Sequence, residues 1–307
     1  MKLIATTVVR GSQPGESHGG AYLIDLDRQT VDKPVDWNGL DIDWRGNGGG
    51  RGLRGVACDQ DKVYIAASEQ LLAYGPDLSL ENSWGNPYLK NCHEIEVHQR
   101  TLFLTSTAFD CILAFDLDGK RFTRGFHIES SHFRFKASAF DAGDNDGPLE
   151  LNKLHLNSVA CNRYGMYIGG LNTGGMLHFN GRTVSMAAEL PGGSHDARPF
   201  RDGVLFNDNT AGRLRYCGRG DGAEDRAMAP PEYDRNRLLP TDIDDERIAR
   251  PGFLRGLCTL TDSVVAGGSS PATITVHDLA ANQQLLSVNL SRDPRAAIHG
   301  LAVWPWE

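Results

Sequence analysis

The sequence predicts an all-β fold, a six-bladed β-propeller closed by pairing the C-terminal strand with the N-terminal strands. Three observations carry this expectation. Glycine accounts for 35 of 307 residues, about 11% against a usual level near 7%, and with 14 prolines it supplies turns for many short elements. A polar residue directly ahead of a short apolar strand recurs at Arg54, His93, Asn157, His195, Arg255 and His299, at spacings of 39, 64, 38, 60 and 44 residues. That spacing fits a four-stranded unit of roughly 40 residues with extra length in two units. Finally, the pieces left over at the two ends add up to one further unit.

The strands follow in order. Second strands read Lys62-Val-Tyr-Ile-Ala-Ala, Thr101-Leu-Phe-Leu-Thr, Gly165-Met-Tyr-Ile-Gly, Gly203-Val-Leu-Phe-Asn and Ser263-Val-Val-Ala-Gly, each a β-branched or aromatic run bounded by turn residues. Third strands start at Gln70, Cys111, Gly175, Gly212 and Thr273, and the unit headed by Arg255 shows no clear outer strand. The run from His299 to Pro305 is only a first strand, and Leu3–Val9, Ala21–Asp27 and Thr30–Asp36 supply the missing three. Joining them closes the ring and pairs edges that would otherwise template aggregation. A β-sandwich followed by a second small domain would leave that match of the two ends unexplained. The chain 1–307 therefore reads as a single propeller domain, with two lid-like insertions at about 126–153 and 218–251 that are rich in charge, glycine and proline.

Composition excludes several classes of function. Lys plus Arg total 31 against Asp plus Glu 39, a formal net charge of −8, so there is no basic surplus for a nucleic-acid partner. No apolar run approaches the roughly 18 residues of a membrane span. The start MKLIATTVVRGS lacks the uninterrupted apolar region and cleavage site of a secretory signal, and a cytoplasmic location is expected. The six cysteines form no CxxC pair and read as reduced thiols. Gly50 to Gly55 satisfies GxGxxG but leads into a strand, so it reads as an approach loop, with Arg45 and Arg51 beside it, and not as a dinucleotide site.

Function is expected where the six strand-heading residues converge. Under sixfold pseudo-symmetry His93, His195 and His299 occupy alternate blades, about a third of a turn apart near one mouth of the axis. Three neutral imidazoles are good ligands for one divalent transition metal, Zn foremost and Fe or Cu otherwise, and they leave positions open for water or substrate. A lone histidine at a strand start is more often an ordinary hydrogen-bonded residue; three at equivalent positions argue for a metal site. Arg54 and Arg255 stand between them, suited to hold a carboxylate or to steady an oxyanion. Asn157, His155 and His18 are further candidates for substrate contact, and Glu16 for a catalytic base. His155 is also a candidate substitute or additional metal ligand, because it lies two residues before Asn157 on the same side of an extended chain. Glu69, Asp196 and Asp208 are available as ion-pair partners or acceptors for ligand histidines.

Two resemblances accompany these residues. The stretch from His155 to Ala160, the run SHDARPFRDGVLFNDNTAG from Ser194 to Gly212, and Pro251 to Leu257 resemble an uncharacterised bacterial six-bladed propeller family across roughly the second half of the chain. The alternating three-histidine ring with arginine is similar to the propeller core of peptidylglycine amidating lyase. That resemblance implies zinc on His93, His195 and His299 and an electrostatic role for Arg54 or Arg255. The lyase's catalytic tyrosine has no counterpart here, nor does its secreted, disulfide-bonded character. The expectation is a metal-dependent lyase or hydrolase acting on a small polar, carboxylate-bearing molecule. The alternatives are an Fe- or Cu-dependent oxygenase or oxidase on the same site, and a non-catalytic ligand- or protein-binding propeller.

Overall fold

A computed structural model of the chain describes residues 1–38, 51–132, 134–220, 223–241 and 250–306; Arg45, Gly50 and part of the second insertion lie outside them. The closing blade starts with β1 (Lys2–Val9), β2 (Gly19–Asp25) and β3 (Thr30–Asp36). Blade two holds β4 (Val56–Asp59), β5 (Lys62–Ala66), β6 (Gln70–Tyr74) and β7 (Leu80–Gly85). Blade three holds β8 (Ile95–His98), β9 (Thr101–Ser106), β10 (Cys111–Asp116), β11 (Arg121–Ser131) and β12 (Arg134–Asp141). Blade four runs β13 (Leu156–Asn162), β14 (Gly165–Gly170), β15 (Gly175–Phe179), β16 (Val184–Glu189), and blade five β17 (Ser194–Phe200), β18 (Gly203–Asp208), β19 (Arg213–Cys217), β20 (Asp225–Met228). Blade six holds β21 (Leu254–Thr259), β22 (Val264–Ser269), β23 (Thr273–Asp278) and β24 (Gln283–Asn289), after which β25 (Ala296–Trp304) returns to the closing blade in the order β25-β1-β2-β3.

The all-β, six-bladed expectation holds, and so does the closure. β25 pairs antiparallel with β1 from Lys2↔Trp304 to Val9↔Ala296. The stretches read as insertions contain strands. β11 runs on to Ser131 and β12 pairs along it, making blade three five-stranded. β20, inside 218–251, is the outer strand of blade five. These strands escape a sequence reading because outer strands face solvent and lack the apolar run of inner ones: β12 reads Arg-Phe-Lys-Ala-Ser-Ala-Phe-Asp with no buried residue. β24 supplies the outer strand of blade six for the same reason, its pattern almost entirely exposed.

Apolar faces pack between neighbouring blades. Leu102, Leu104, Leu113 and Phe115 of blade three meet Ala66 and Leu71 of blade two, while Leu3 and Ile24 meet Ile274, Ile298 and Leu301. Each of the leucine, isoleucine and phenylalanine side chains contributes about 1.5–3 kcal/mol on burial.

What positions the site is an irregularity repeated on the inner strands. The β13 ladder skips Asn157, passing from Leu156↔Gly170 to Ser158↔Gly169. The β21 ladder skips Arg255 and Gly256, the β25 ladder skips His299, and the β17 ladder breaks just after His195. A bulged residue is unpaired and its side chain is re-aimed, so these breaks release the strand-heading residues from the sheet plane. Arg54 and His93 lie two residues ahead of β4 and β8. Around Arg255 the backbone is tightly seated: a Cβ on Gly268 would lie 2.4 Å from the Arg255 carbonyl oxygen and 2.4 Å from Ile298 Cγ2. Gly268→Ala is accordingly expected to destabilise the fold by about 1–3 kcal/mol, read as a lowered denaturation midpoint; an unchanged midpoint would contradict this close approach of blade six to the closing blade.

Candidate functional site at the axial mouth

Starting from the bulges, the structure brings three imidazoles together. The His93 ring centroid lies 5.5 Å from that of His155 and 5.7 Å from that of His299. Burial lowers His93 and His299 well below the ordinary imidazole range, and nearby Arg54 and Arg255 lower them further. His155 falls to about 4 through burial and the same two arginines. All three are therefore neutral near pH 7. His93 also has a defined tautomer. Its Nδ1 lies 2.8 Å from the Asn91 carbonyl oxygen and 2.7 Å from Thr107 Oγ1, and the Thr107 hydroxyl already donates to the Leu156 carbonyl at 2.5 Å. With both neighbours acting as acceptors, Nδ1 carries the proton and Nε2 keeps its lone pair.

His195 stands apart from this trio in its described contacts. Its ring packs edge-on to Phe253, centroid to centroid 6.0 Å, and its Nδ1 lies between the Gly193 carbonyl oxygen at 2.9 Å and Asn209 Nδ2 at 3.0 Å. Its Nε2 is buried with no hydrogen-bond partner. Among the described residues, no group of three or more His, Cys, Asp or Glu side chains is placed to hold a metal ion.

Arginines crowd the same mouth. Arg54 donates from Nη1 to the Cys92 carbonyl at 3.3 Å, and burial lowers it to about 10. Arg255 is 9% exposed, and its Nε and Nη1 have no hydrogen-bond partner. Burial, then Arg10 and Arg54, push its guanidinium well below the ordinary arginine value. Arg10 falls to about 10 by burial and by the charges of Arg54 and Arg250. Three guanidinium carbons surround the Phe253 ring, those of Arg10 at 4.4 Å, Arg255 at 4.8 Å and Arg250 at 4.9 Å. An aromatic face holds such cations without neutralising them, which leaves Arg255 ready for an anion.

The remaining sequence candidates fall as follows. Asn157 is buried and donates from Nδ2 to the Ser194 carbonyl at 3.1 Å, while its Oδ1 has no partner. His18 is fully buried in the closing blade, with Nδ1 2.7 Å from Ser12 Oγ. Glu16 is half-exposed and ion-paired with Arg295 at 3.3 Å, a contact of the closing blade and not of the imidazole trio. Asp208 accepts from the backbone of Thr210 and Ala211 and pairs with Arg215 at 3.5 Å, which is a turn role.

Sequence reasoning missed Arg10, Arg250, Phe253, Thr107 and a carboxylate cluster along the axis. Arg10 follows the end of β1, so only ring closure brings it to Phe253, whereas Arg250 lies in the same approach to β21 as Phe253. The cluster carried a visible signal: Glu94 and Glu96 follow His93 at alternate positions. A cavity of about 510 Å3 is lined by Glu94, Glu96, Asp196 and Arg198, with His299 on its wall. Glu94 bridges blades, pairing through Oε1 with Arg198 and accepting at Oε2 from the Val159 N–H at 3.1 Å. Asp196 accepts from Asn207 Nδ2 at 2.8 Å. Burial pushes Glu94 up to about 8, against the opposing pull of Arg198, and Asp196 up to about 6.

With the geometry in place, the comparisons with known proteins add a fold. No protein-family model matches the chain, and no curated protein matches it in sequence. Among solved structures, a chain in the crystal structure of a nidogen/laminin complex aligns with TM-score 0.59 at 13% identity over 98% of each chain. The computationally designed Ika8 protein aligns with TM-score 0.50 at 12% identity over 94% of this chain and 88% of that one. Streptogramin B lyase aligns with TM-score 0.43 at 12% identity over 74% and 69%. For the first two of these, at such identities, the likeness is one of fold alone, the propeller. No helix among the described residues is long and apolar enough to cross a membrane.

The Glu94 shift has a sign that can be tested. Its ordinary value is 4.5 and its folded value about 8, so the unfolded chain releases this proton first as pH rises. The contribution of Glu94 to stability should fall from pH 4.5 upward until the folded group ionises near pH 8. Melting temperatures at pH 5 and pH 8 are expected to differ less in Glu94→Gln than in the wild type; an identical pH slope in both would rule out titration of Glu94 in this window.

Proposed function

We propose that the axial mouth is the active site of a cytoplasmic enzyme acting on a small molecule that carries a carboxylate or phosphate, by lyase or hydrolase chemistry. One observation carries this reading: the buried Arg255 guanidinium has Nε and Nη1 without partners and lies in the same electrostatic environment as His93, whose neutral Nε2 has a lone pair to give. Arg255 and Arg54 anchor the anion and stabilise negative charge as it develops. His93 takes a proton from the substrate or from a water, with Thr107 and Asn91 holding its ring and tautomer. Asn157, through its unpartnered Oδ1, and His155 border the substrate.

A metal-dependent second reading is favoured by the ring spacings. Two imidazoles sharing one ion through Nε2 bring their centroids to roughly 5–6 Å, and His93 stands at 5.5 and 5.7 Å from His155 and His299. Zinc would then polarise a substrate oxygen, in line with the resemblance to the amidating lyase core, whereas Fe or Cu would support redox chemistry. In this reading His93 with His155 or His299 would be drawn onto the ion on binding, because the described side chains do not already form a three-ligand set.

Two measurements separate these readings. Arg255→Gln should weaken carboxylate or phosphate binding about 10- to 100-fold, the loss of one charge-assisted contact, measured by calorimetry; wild-type affinity in this variant would overturn the anion-site reading. Elemental analysis of the purified wild type, His93→Ala, His299→Ala and His195→Ala decides the metal. Stoichiometric metal lost in the first two variants would establish a metal centre, and its absence throughout would leave the imidazole-base mechanism. Anion binding with no turnover of any carboxylate or phosphate ester would reduce the protein to a binding propeller.

A further inference from the structure

The chemistry proposed for the mouth makes no use of the axial cavity of about 510 Å3. On the closing blade the lining of this cavity runs from His299 to Pro305, about 20 Å of extended chain. It meets solvent where Gln60 and Pro305 are exposed. Three carboxylates in it, Glu94, Glu96 and Asp196, surround one guanidinium. Burial lowers Arg198, and the charges of all three outweigh burial and raise it. Arg198 can compensate only one of them, and its ion pair is with Glu94. Asp196 has neutral donors, the Asn207 amide at 2.8 Å and the Gly256 N–H. Glu96 makes no hydrogen bond among the described residues. Asp59, also on the wall, is paired with Arg100. The cavity therefore holds two carboxylates more than it has cations to match.

A separate observation marks the same space. His299 is 7% exposed, lies on the cavity wall and makes no hydrogen bond among the described residues. As a neutral imidazole it keeps an acceptor nitrogen. The cavity thus has acceptors in want of donors as well as negative charge in want of a cation. Much of the remaining wall is apolar, with Ala57, Val97, Leu257, Leu301 and Val303 along it. A bare metal ion suits this space poorly. No three-ligand group stands ready among the described residues, and an ion alone would leave the apolar wall and most of the volume unused. We infer that the axial cavity binds a small alkylammonium cation, its charged end in the carboxylate cluster beside Arg198 and its hydrocarbon chain along the apolar wall. The ammonium N–H groups donate to carboxylate oxygens in charge-assisted hydrogen bonds, and burial of the chain adds the hydrophobic contribution. This site is independent of the anion site at the mouth, being of opposite charge and having its own opening to solvent.

The test is isothermal titration of the full-length protein at pH 8 and constant ionic strength with n-butylammonium, methylammonium, 1-butanol and magnesium chloride. n-Butylammonium is expected to bind at least about tenfold tighter than 1-butanol, which lacks the charge, and than methylammonium, which lacks the chain. Glu96→Gln keeps the shape of the side chain and removes its charge. It should weaken n-butylammonium about tenfold or more, and Glu96→Asp, which keeps the charge, should retain most of the affinity. Circular dichroism and melting confirm that each variant is folded before its affinities are compared. No binding of n-butylammonium, 1-butanol binding as tightly, or an unchanged affinity in Glu96→Gln would overturn the inference. Magnesium binding more tightly than n-butylammonium would overturn it in favour of an inorganic ion. Each of these outcomes leaves the anion site standing, since that site is read with carboxylates and phosphates in Arg255→Gln.

Discussion

Because β25 pairs with β1 along the whole length of the first strand, the two ends of the chain are locked into one blade, and the six inner strands are forced around a common axis. Everything at the axial mouth depends on that closure. It carries His299 from near the C-terminus to the side of His93 and brings Arg10, at the end of β1, against Phe253, which precedes β21. The energy that holds it is ordinary: a backbone ladder plus apolar packing of Leu3, Ile298 and Leu301 against blade six. Its consequence is not ordinary, because a ring gathers residues that no local segment could bring together.

The bulges give closure its chemical content. In a regular strand the strand-heading residues would spend their backbone groups on the ladder and point their side chains alternately into the inter-blade packing. At Asn157, Arg255 and His299 the ladder skips a position, and the side chain is released toward the axis. The same irregularity separates two environments along one channel. Toward the mouth stand neutral imidazoles and arginines, whereas the cavity holds Glu94, Glu96 and Asp196 around Arg198. His93 and Glu94 are neighbours in sequence yet belong to opposite environments, as expected where successive side chains of an extended chain diverge. Burial drives the imidazoles and the arginines of the mouth down and the carboxyls of the cavity up, toward their neutral forms, whereas at Arg198 the charges of Glu94, Glu96 and Asp196 outweigh burial and raise it.

The six units, the closing unit and the polar residue heading each inner strand were legible in the chain because inner strands are apolar runs bounded by turns, and because the repeat averages out local noise. Outer strands such as β12 and β24 were not, since a solvent-facing strand has little reason to differ in composition from a loop. Among site residues, Arg54, His93, His155, Arg255 and His299 were visible as strand heads or their neighbours. Arg250 lay in what read as the end of an insertion, Phe253 in the short approach between that insertion and the next strand, and Thr107 in a turn after a second strand, places where the repeat marks no role.

Sequence periodicity by itself determined the fold, because alternation, turns and a repeat near forty residues are properties of the chain that any propeller of this kind must encode. Only the tertiary structure decided which imidazoles share a neighbourhood. Symmetry argued from the repeat places His93, His195 and His299 on equal terms, but blade three has an extra strand and the bulges fall at different places on the inner strands, so that equivalence is not kept. His155 therefore moves in beside His93, and His195 turns to Phe253. A repeat in sequence specifies which blade a residue belongs to; the distance between two side chains across an axis is set by packing that the repeat does not record.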